Sequence, residues 1–128
     1  MIFMKKVINT TKAPSAIGPY SQAILVNNTL YISGQIPLNP TTLELYEDIR
    51  IATHQVMKNL HSILDTANMN FSNVVKSTIF LKEMNHFEIM NEIYSSYFTE
   101  NFPARETVQV SVLPKNACIE ISMIAVAI

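Results

Sequence analysis

Two kinds of apolar spacing take turns along the chain. Short runs rich in Val, Ile, Thr and Tyr, bounded by Pro or Asn, read as strands, and longer segments with apolar residues three and four apart read as helices. The N-terminal stretch MIFMKKVINT reads as an opening strand. Residues 20–26 (YSQAILV) and 29–36 (TLYISGQI) flank Asn27-Asn28. Asn tolerates the positive φ of a two-residue turn, so this is a predicted hairpin. Pro37 and Pro40 mark the loop that follows. Over residues 47–68, Ile49, Ala52, Val56, Leu60, Ile63 and Ala67 form one apolar helical face, with Asp48 placed to cap its start and Asn68 to end it in left-handed geometry. Residues 73–81 (NVVKSTIFL) predict another strand. Asn85 is a good N-cap, Glu88 follows three residues on, and Met84 is placed to staple to Ile89. A second helix is therefore expected to about Thr99, with Phe87, Met90, Tyr94 and Tyr97 on one face. Two last strands, 105–113 and 118–127, are joined by PKNA.

The order β-β-β-α-β-α-β-β, with strands in antiparallel pairs and two helices interposed, predicts an α+β fold: one sheet with both helices on one face. Side chains alternate along a strand. In the fifth strand Val108, Val110 and Val112 share one face, and Arg105, Thr107, Gln109 and Ser111 the other. In the last strand Ile119, Ile121 and Met123 oppose Cys118, Glu120, Ser122 and Ile124. If the Val and Ile faces both meet the helices, Arg105 and Glu120 share the opposite face. That face carries little charge and some apolar content, which suits an oligomer interface with polar groups set into it.

Composition narrows the classes. A chain of 128 residues with 48% hydrophobic content fits one domain, residues 1–128, with a real core. A net charge of −1 argues against a nucleic-acid protein. No apolar run approaches a membrane span, and the N-terminal apolar stretch is too short for a signal peptide. One cysteine, Cys118, excludes an intrachain disulfide and fits a reducing, cytoplasmic setting. His54, His61 and His86 make no metal-binding spacing, and His54 and His61 read as surface helix residues. Arg105 and Arg50 are the only arginines. Arg105 stays open between a structural ion pair, with Glu120 or a partner-chain carboxylate, and a clamp for a ligand carboxylate, which the planar bidentate guanidinium suits. Glu120 stays open as well: a half-buried carboxylate serves as a general base with its pKa raised by burial or lowered by Arg105.

Five blocks carry a resemblance that spans essentially the whole chain: AIGPYSQA (16–23), YISGQIP (31–37), MNEIYSSYF (90–98), PARETVQVSVLP (103–114) and IEISMIA (119–125). On these the chain resembles the YjgF/RidA family, the reactive-intermediate deaminases. The resemblance implies a chorismate-mutase-like α+β fold, a homotrimer with active sites in clefts between subunits, and hydrolysis of 2-imino acids to 2-keto acids and ammonia. The imino acids are tautomers of the enamines released by pyridoxal-phosphate dehydratases. No cofactor or metal is expected. By motif, Arg105 would bind the substrate carboxylate and Glu120 would hold or activate the attacking water. Tyr20, Ser33 and Gly34 would line the pocket, and Asn91 would add a polar contact. Tyr20 as a core aromatic, Gly34 as a bulge glycine and Asn91 as a solvated helix residue are the plainer readings.

The chain departs from that family where many deaminases have cysteine two residues after the arginine. Here Thr107 stands, so a covalent thiol mechanism through that position is excluded, while a hydroxyl or backbone contact to substrate survives. Cys118 lies in another strand and reads as a small half-buried side chain. Leu43 and Asn68 stand where the family often has glycine. Three hypotheses follow: an imine deaminase, a non-catalytic trimeric module binding small 2-keto or carboxylic acids in the same clefts, and an RNA-directed activity. Near-neutral charge and the lack of an aromatic-plus-basic platform argue against the third.

Overall fold

The computed structural model describes residues 4–128. Six strands form one open mixed sheet: β1 (Lys5–Ile8), β2 (Ala23–Val26), β3 (Thr29–Gln35), β4 (Val74–Leu81), β5 (Ala104–Gln109) and β6 (Ile119–Val126). Two helices, α1 (Ile49–Thr66) and α2 (Phe87–Ser95), cross between them. This is the α+β arrangement expected from the element order. The spatial order β1-β2-β3-β6-β4-β5 inserts the last strand into the middle of the sheet. Residues 1–3 of the expected opening strand lie outside the described residues.

The core lies between the helices and one face of the sheet. Ala52, Val56, Leu60, Ile63 and Leu64 of α1 are fully buried against Leu30, Ile79, Leu81, Ile119 and Ile121. The opposite sheet face has no helix over it. It shows alternation on β6, where Glu120, Ser122 and Ile124 are half-buried between fully buried neighbours.

Local chemistry explains the element ends. Asp48 Oδ1 accepts from the amides of Arg50 and Ile51 at 3.0 and 3.2 Å, so the expected cap of α1 is present. At its other end Asn68 takes φ 59°, its amide donates to Asp65, and the Met69 amide donates to Leu64. Those two bonds with a buried Met69 close the helix as a Schellman motif. Only two glycines are present, and asparagine takes much of their backbone role: Asn27, Asn68, Asn101 and Asn116 all have positive φ. Asn27 does so in the expected hairpin turn, where Val26 pairs with Thr29. Leu43 also takes φ 64°, in the loop where the family often places glycine.

Four expectations need correction. The strand expected over 20–26 begins only at Ala23, leaving Tyr20 in a loop. The fifth strand ends at Gln109 rather than near 113, and Val112 is exposed. Asn85 does not cap the second helix. A 3-10 turn, Met84–His86, leads into α2, and the amide of Met84 donates to the Gln109 side chain at 2.7 Å. A side chain from a distant strand thus replaces the local cap, and the helix ends at Ser95, short of Thr99.

The fourth correction decides the site. β5 pairs in parallel with β4, with Ser77 opposite Arg105, Ile79 opposite Thr107 and Phe80 opposite Val108. Neighbours in a ladder share a face, and Ser77 and Ile79 are buried under the helices. Arg105 and Thr107 therefore face α2. Val108 points to the open face and is 43% exposed. Glu120, opposite Phe80 on the antiparallel side, shares that open face. Arg105 and Glu120 lie on opposite faces of the sheet, not on the same one.

Replacing Asn68 by Ala removes the short polar side chain that makes left-handed geometry tolerable for a residue with a β-carbon and is expected to lower stability by about 1 kcal/mol, whereas Asn68→Gly is expected to be neutral or slightly stabilising. Urea unfolding midpoints of the two variants check this.

Candidate active site

The Glu120 half of the site is built on β3 and β6. The β3–β6 ladder changes register between Ile32 and Gln35, so Ser33 and Gly34 sit in a bulge. A β-carbon on Gly34 would lie 2.7 Å from Cδ of Glu120 and 2.9 Å from its Cγ. Gly34 is thus both a bulge glycine and the surface over which the Glu120 side chain lies. Burial pushes the Glu120 carboxyl above its ordinary 4.5. No lowering by Arg105 accompanies it, because the sheet separates the two.

The wall of this half is the loop before β2. Gly18, with φ 122°, turns the chain toward Pro19 and Tyr20. Tyr20 is 55% exposed, which removes the core-aromatic reading. Ser33 Oγ donates to the Ser21 carbonyl at 2.6 Å, and the Ser33 amide donates to the Gln22 carbonyl at 2.9 Å. The Ser33 hydroxyl proton therefore anchors the loop, and the oxygen keeps acceptor capacity. Gln22 pins the other end. Its Oε1 accepts from the Thr10 amide, and its Nε2 donates to the carbonyls of Thr10, Ala13 and Pro14. Tyr20, Ser33, Gly34 and Glu120 line one cleft of about 540 Å³, with Lys115 at its edge and Ile17, Ile36 and Leu38 as apolar wall.

The Arg105 half lies across the sheet, on β5 and α2. Phe87, Asn91 and Tyr94 stand four and three residues apart on one face of α2. Arg105 Nη1 donates to Asn91 Oδ1 at 2.6 Å. The guanidinium carbon is 5.1 Å from the Tyr94 ring centroid and 5.6 Å from that of Phe87, both within cation–π range. No carboxylate is within ion-pair distance of Arg105: among the described residues the one such pair is Lys76–Glu106. The expected structural pairing with Glu120 is absent from the chain. Arg105, Asn91 and Tyr94 open with Phe102 and Pro103 onto a second cleft of about 350 Å³. Asn91 is half-buried rather than a solvated helix residue, and its oxygen holds Arg105 at the edge of this cleft. Thr107, two residues on, has a buried Oγ1 with no hydrogen-bond partner.

The structure thus gathers Tyr20, Ser33, Gly34 and Glu120 in one place and Asn91, Arg105 and Thr107 in another. Gln22, Tyr94 and Lys115 were missed by sequence reasoning. Tyr94 reads from spacing as an ordinary apolar-face residue, and nothing local marks Gln22 as a loop anchor. Cys118 is half-buried with its thiol pushed up by burial, as fits an inert side chain. His54 and His61 lie exposed on α1, and His54 Nδ1 shares a hydrogen bond of 2.7 Å with the Tyr97 hydroxyl. Among the described residues no three His, Cys, Asp or Glu side chains are placed to hold a metal ion, and no helix is long and apolar enough to cross a membrane.

Fold and site together define an α+β protein with two helices on one face of a six-stranded mixed sheet and a polar site divided between its faces. The family described as Endoribonuclease L-PSP matches residues 10–127. The 2-iminobutanoate/2-iminopropanoate deaminase of Homo sapiens is 48% identical over 124 residues, which cover 96% of this chain and 90% of that one. Among solved structures, the Rid family protein YyfA of Yersinia pestis superposes with a TM-score of 0.95 at 52% identity, over 97% of this chain and 100% of its own. TdcF of E. coli, solved with bound serine, superposes with a TM-score of 0.93 at 36% identity, over 96% of this chain and 99% of its own. The chain belongs to the YjgF/RidA family.

Glu120 binds its proton more tightly folded than unfolded, so its contribution to stability is full below about pH 4.5 and is lost as pH rises through the raised folded value. Glu120→Gln is expected to remove that loss and flatten the stability profile above this pH. Urea midpoints measured across the acid-to-neutral range check the sign. Gly34→Ala is expected to keep the fold but push the Glu120 carboxylate aside, returning its pKa toward 4.5, as read by NMR titration.

Proposed function

We propose that the protein hydrolyses reactive 2-imino acids, such as 2-iminopropanoate and 2-iminobutanoate, to 2-keto acids and ammonia. The observation that carries this reading is Arg105: a half-buried guanidinium, within cation–π range of two rings and bonded to one amide oxygen, with no carboxylate within ion-pair distance among the described residues. Such a group is a ready receptor for a ligand carboxylate. The human relative is named for this reaction, and TdcF holds a small amino acid, serine.

The chemistry needs one placed water and one proton carrier. Water adds to the imine carbon and its proton passes to the Glu120 carboxylate. The carboxyl returns that proton to nitrogen, giving a carbinolamine; Glu120 then carries the hydroxyl proton to the amine, and the C–N bond breaks to leave the ketone and ammonia. Desolvation makes Glu120 a stronger base than a solvated carboxylate, and such proton transfer is typically worth about 10²–10⁴-fold. Arg105 contributes orientation. Thr107 carries a hydroxyl rather than a thiol, so no covalent thioether or thiohemiaminal forms at that position, and its Oγ1 is buried without a hydrogen-bond partner within the chain. The alternative reading, a binding module without turnover, is not favoured by the relatives named as deaminases.

The separation of the two halves supports a site completed by a second chain. Arg105 and Glu120 face opposite sides of the sheet with β4 between their strands, and neighbouring strands stand about 4.8 Å apart. A three- or four-carbon acid cannot bridge them within one chain. We infer a homotrimer in which Arg105, Asn91 and Thr107 of one subunit meet Tyr20, Ser33, Gly34 and Glu120 of the next. The unpaired outer side of edge strand β5 and the uncovered apolar residues Val7, Tyr31, Val75 and Val108 support contact between chains.

Coupling the protein to a threonine dehydratase and following keto-acid release is the decisive assay. Acceleration is expected with the natural chain and is expected to disappear in Arg105→Ala and Glu120→Gln, with the oligomer intact by light scattering. No acceleration by the natural chain, with saturable 2-oxobutanoate binding, would establish the binding module instead. When the two inactive variants are unfolded and reassembled at equal ratio, random mixing gives about one quarter of sites with both groups, and about that share of activity is expected. Sites built within one chain would recover none.

A further inference from the structure

Arg105 is the one ligand-directed charge whose support is visible in full. Its side chain cannot orient itself: a guanidinium on three methylenes loses conformational freedom only if something fixes it. Asn91 fixes one nitrogen. The remaining constraint comes from the two ring faces, and of these Tyr94 lies nearer and is 3% exposed. Tyr94 is in turn tied to the sheet. Its hydroxyl donates to Ser77 Oγ at 2.9 Å, and Ser77, fully buried, is the residue directly opposite Arg105 in the parallel β4–β5 ladder. The phenol that touches the guanidinium is therefore anchored one strand away from the backbone that carries it. An aromatic residue filling a core would need no buried hydroxyl partner, and burying two hydroxyls is tolerable only because they satisfy each other. Burial also pushes the Tyr94 phenol up, so it stays protonated and donating.

We propose that Tyr94 is a positioning residue for Arg105: its ring holds a flat face of the guanidinium, and its hydrogen bond to Ser77 sets where that ring stands. Ser77 thereby takes part in carboxylate binding without touching the ligand. This rests on the reading of Arg105 as the carboxylate clamp, which Arg105→Ala tests separately.

The probe is 2-oxobutanoate, titrated calorimetrically into the assembled protein, alongside KM and kcat in the dehydratase-coupled assay. Tyr94→Phe keeps the ring and removes the anchor. It is expected to weaken 2-oxobutanoate binding and raise KM by about 3- to 10-fold while kcat stays within about twofold, as for a loss of ground-state orientation. Ser77→Ala is expected to shift the same quantities in the same direction. The double variant, with no stranded hydroxyl, is expected to bind no more weakly than either single one. Tyr94→Phe is then placed on Arg105→Lys, whose ammonium cannot stack. If Tyr94 acts through the guanidinium, it has no further effect there. A purely structural Tyr94 would instead weaken binding equally in both backgrounds, or lower thermal stability with binding unchanged, and either result overturns the proposal. Binding that survives Arg105→Ala would sink the clamp itself and leave the Tyr94–Ser77 bond a packing feature.

Discussion

The site depends on one register: β5 lies parallel beside β4, with Arg105 opposite Ser77. A parallel neighbour keeps side chains of paired residues on one face, so the buried face of β4 extends into β5 and carries Arg105 and Thr107 under α2. A parallel pair needs a crossover, and α2 is that crossover. The helix that makes the pairing possible is thus also the helix whose Phe87, Asn91 and Tyr94 meet the guanidinium. Shifting β5 by one residue would turn Arg105 to the open face and bring Val108 to α2, at the cost of every contact that holds the arginine. Strand order, helix face and guanidinium pose are one constraint seen at three scales.

The other half obeys a different economy. Glu120 has fully buried neighbours on either side along β6, and its side chain bends over a glycine in a bulge. Removing the β-carbon at position 34 leaves room for the carboxylate to lie close to backbone, partly out of water. Desolvation there needs no apolar cage, only a missing methyl group and a register shift. Loop anchors complete it: the amide of Gln22 closes four bonds with residues 10–14, and Ser33 holds the carbonyl of Ser21. One half is therefore made rigid by a helix and the other by a pinned loop.

Periodicity made the elements legible. Both helices, the Asn27 hairpin, the Asp48 cap and the left-handed Asn68 follow from local rules, because each is decided within a few residues. What was not legible is what distant residues decide. The N-terminus of α2 looks like an Asn85 cap, yet Gln109 of β5 supplies the partner. Val108 of β5 looks like a core-face residue, yet the edge strand turns it outward and gives its inward positions to Arg105 and Thr107. Alternation reveals which residues share a face, never which face is buried. Family motifs carry no geometry, so they gave no sign that the Asn91 oxygen accepts from Arg105.

The parity error has a physical lesson about charged residues in strands. A guanidinium under a helix looks implausible beside three valines, if burial is judged by hydropathy alone. It is acceptable here because aromatic faces and an amide oxygen replace much of the water it loses, and because the edge position leaves one side open. A carboxylate partner would have satisfied the charge more fully and closed the site to any ligand. Asn91 supplies a hydrogen bond without a countercharge, and the rings supply attraction without a proton acceptor. The arginine is held in place yet left electrostatically unsatisfied, which is the condition a receptor for a small acid requires. The same condition accounts for the separation from Glu120. Were the two on one face of one chain, they would pair with each other, and the guanidinium would be neutralised while the carboxyl lost the raised pKa that makes it a useful base. Placing them on opposite faces leaves the guanidinium without a countercharge and the carboxyl with its raised pKa.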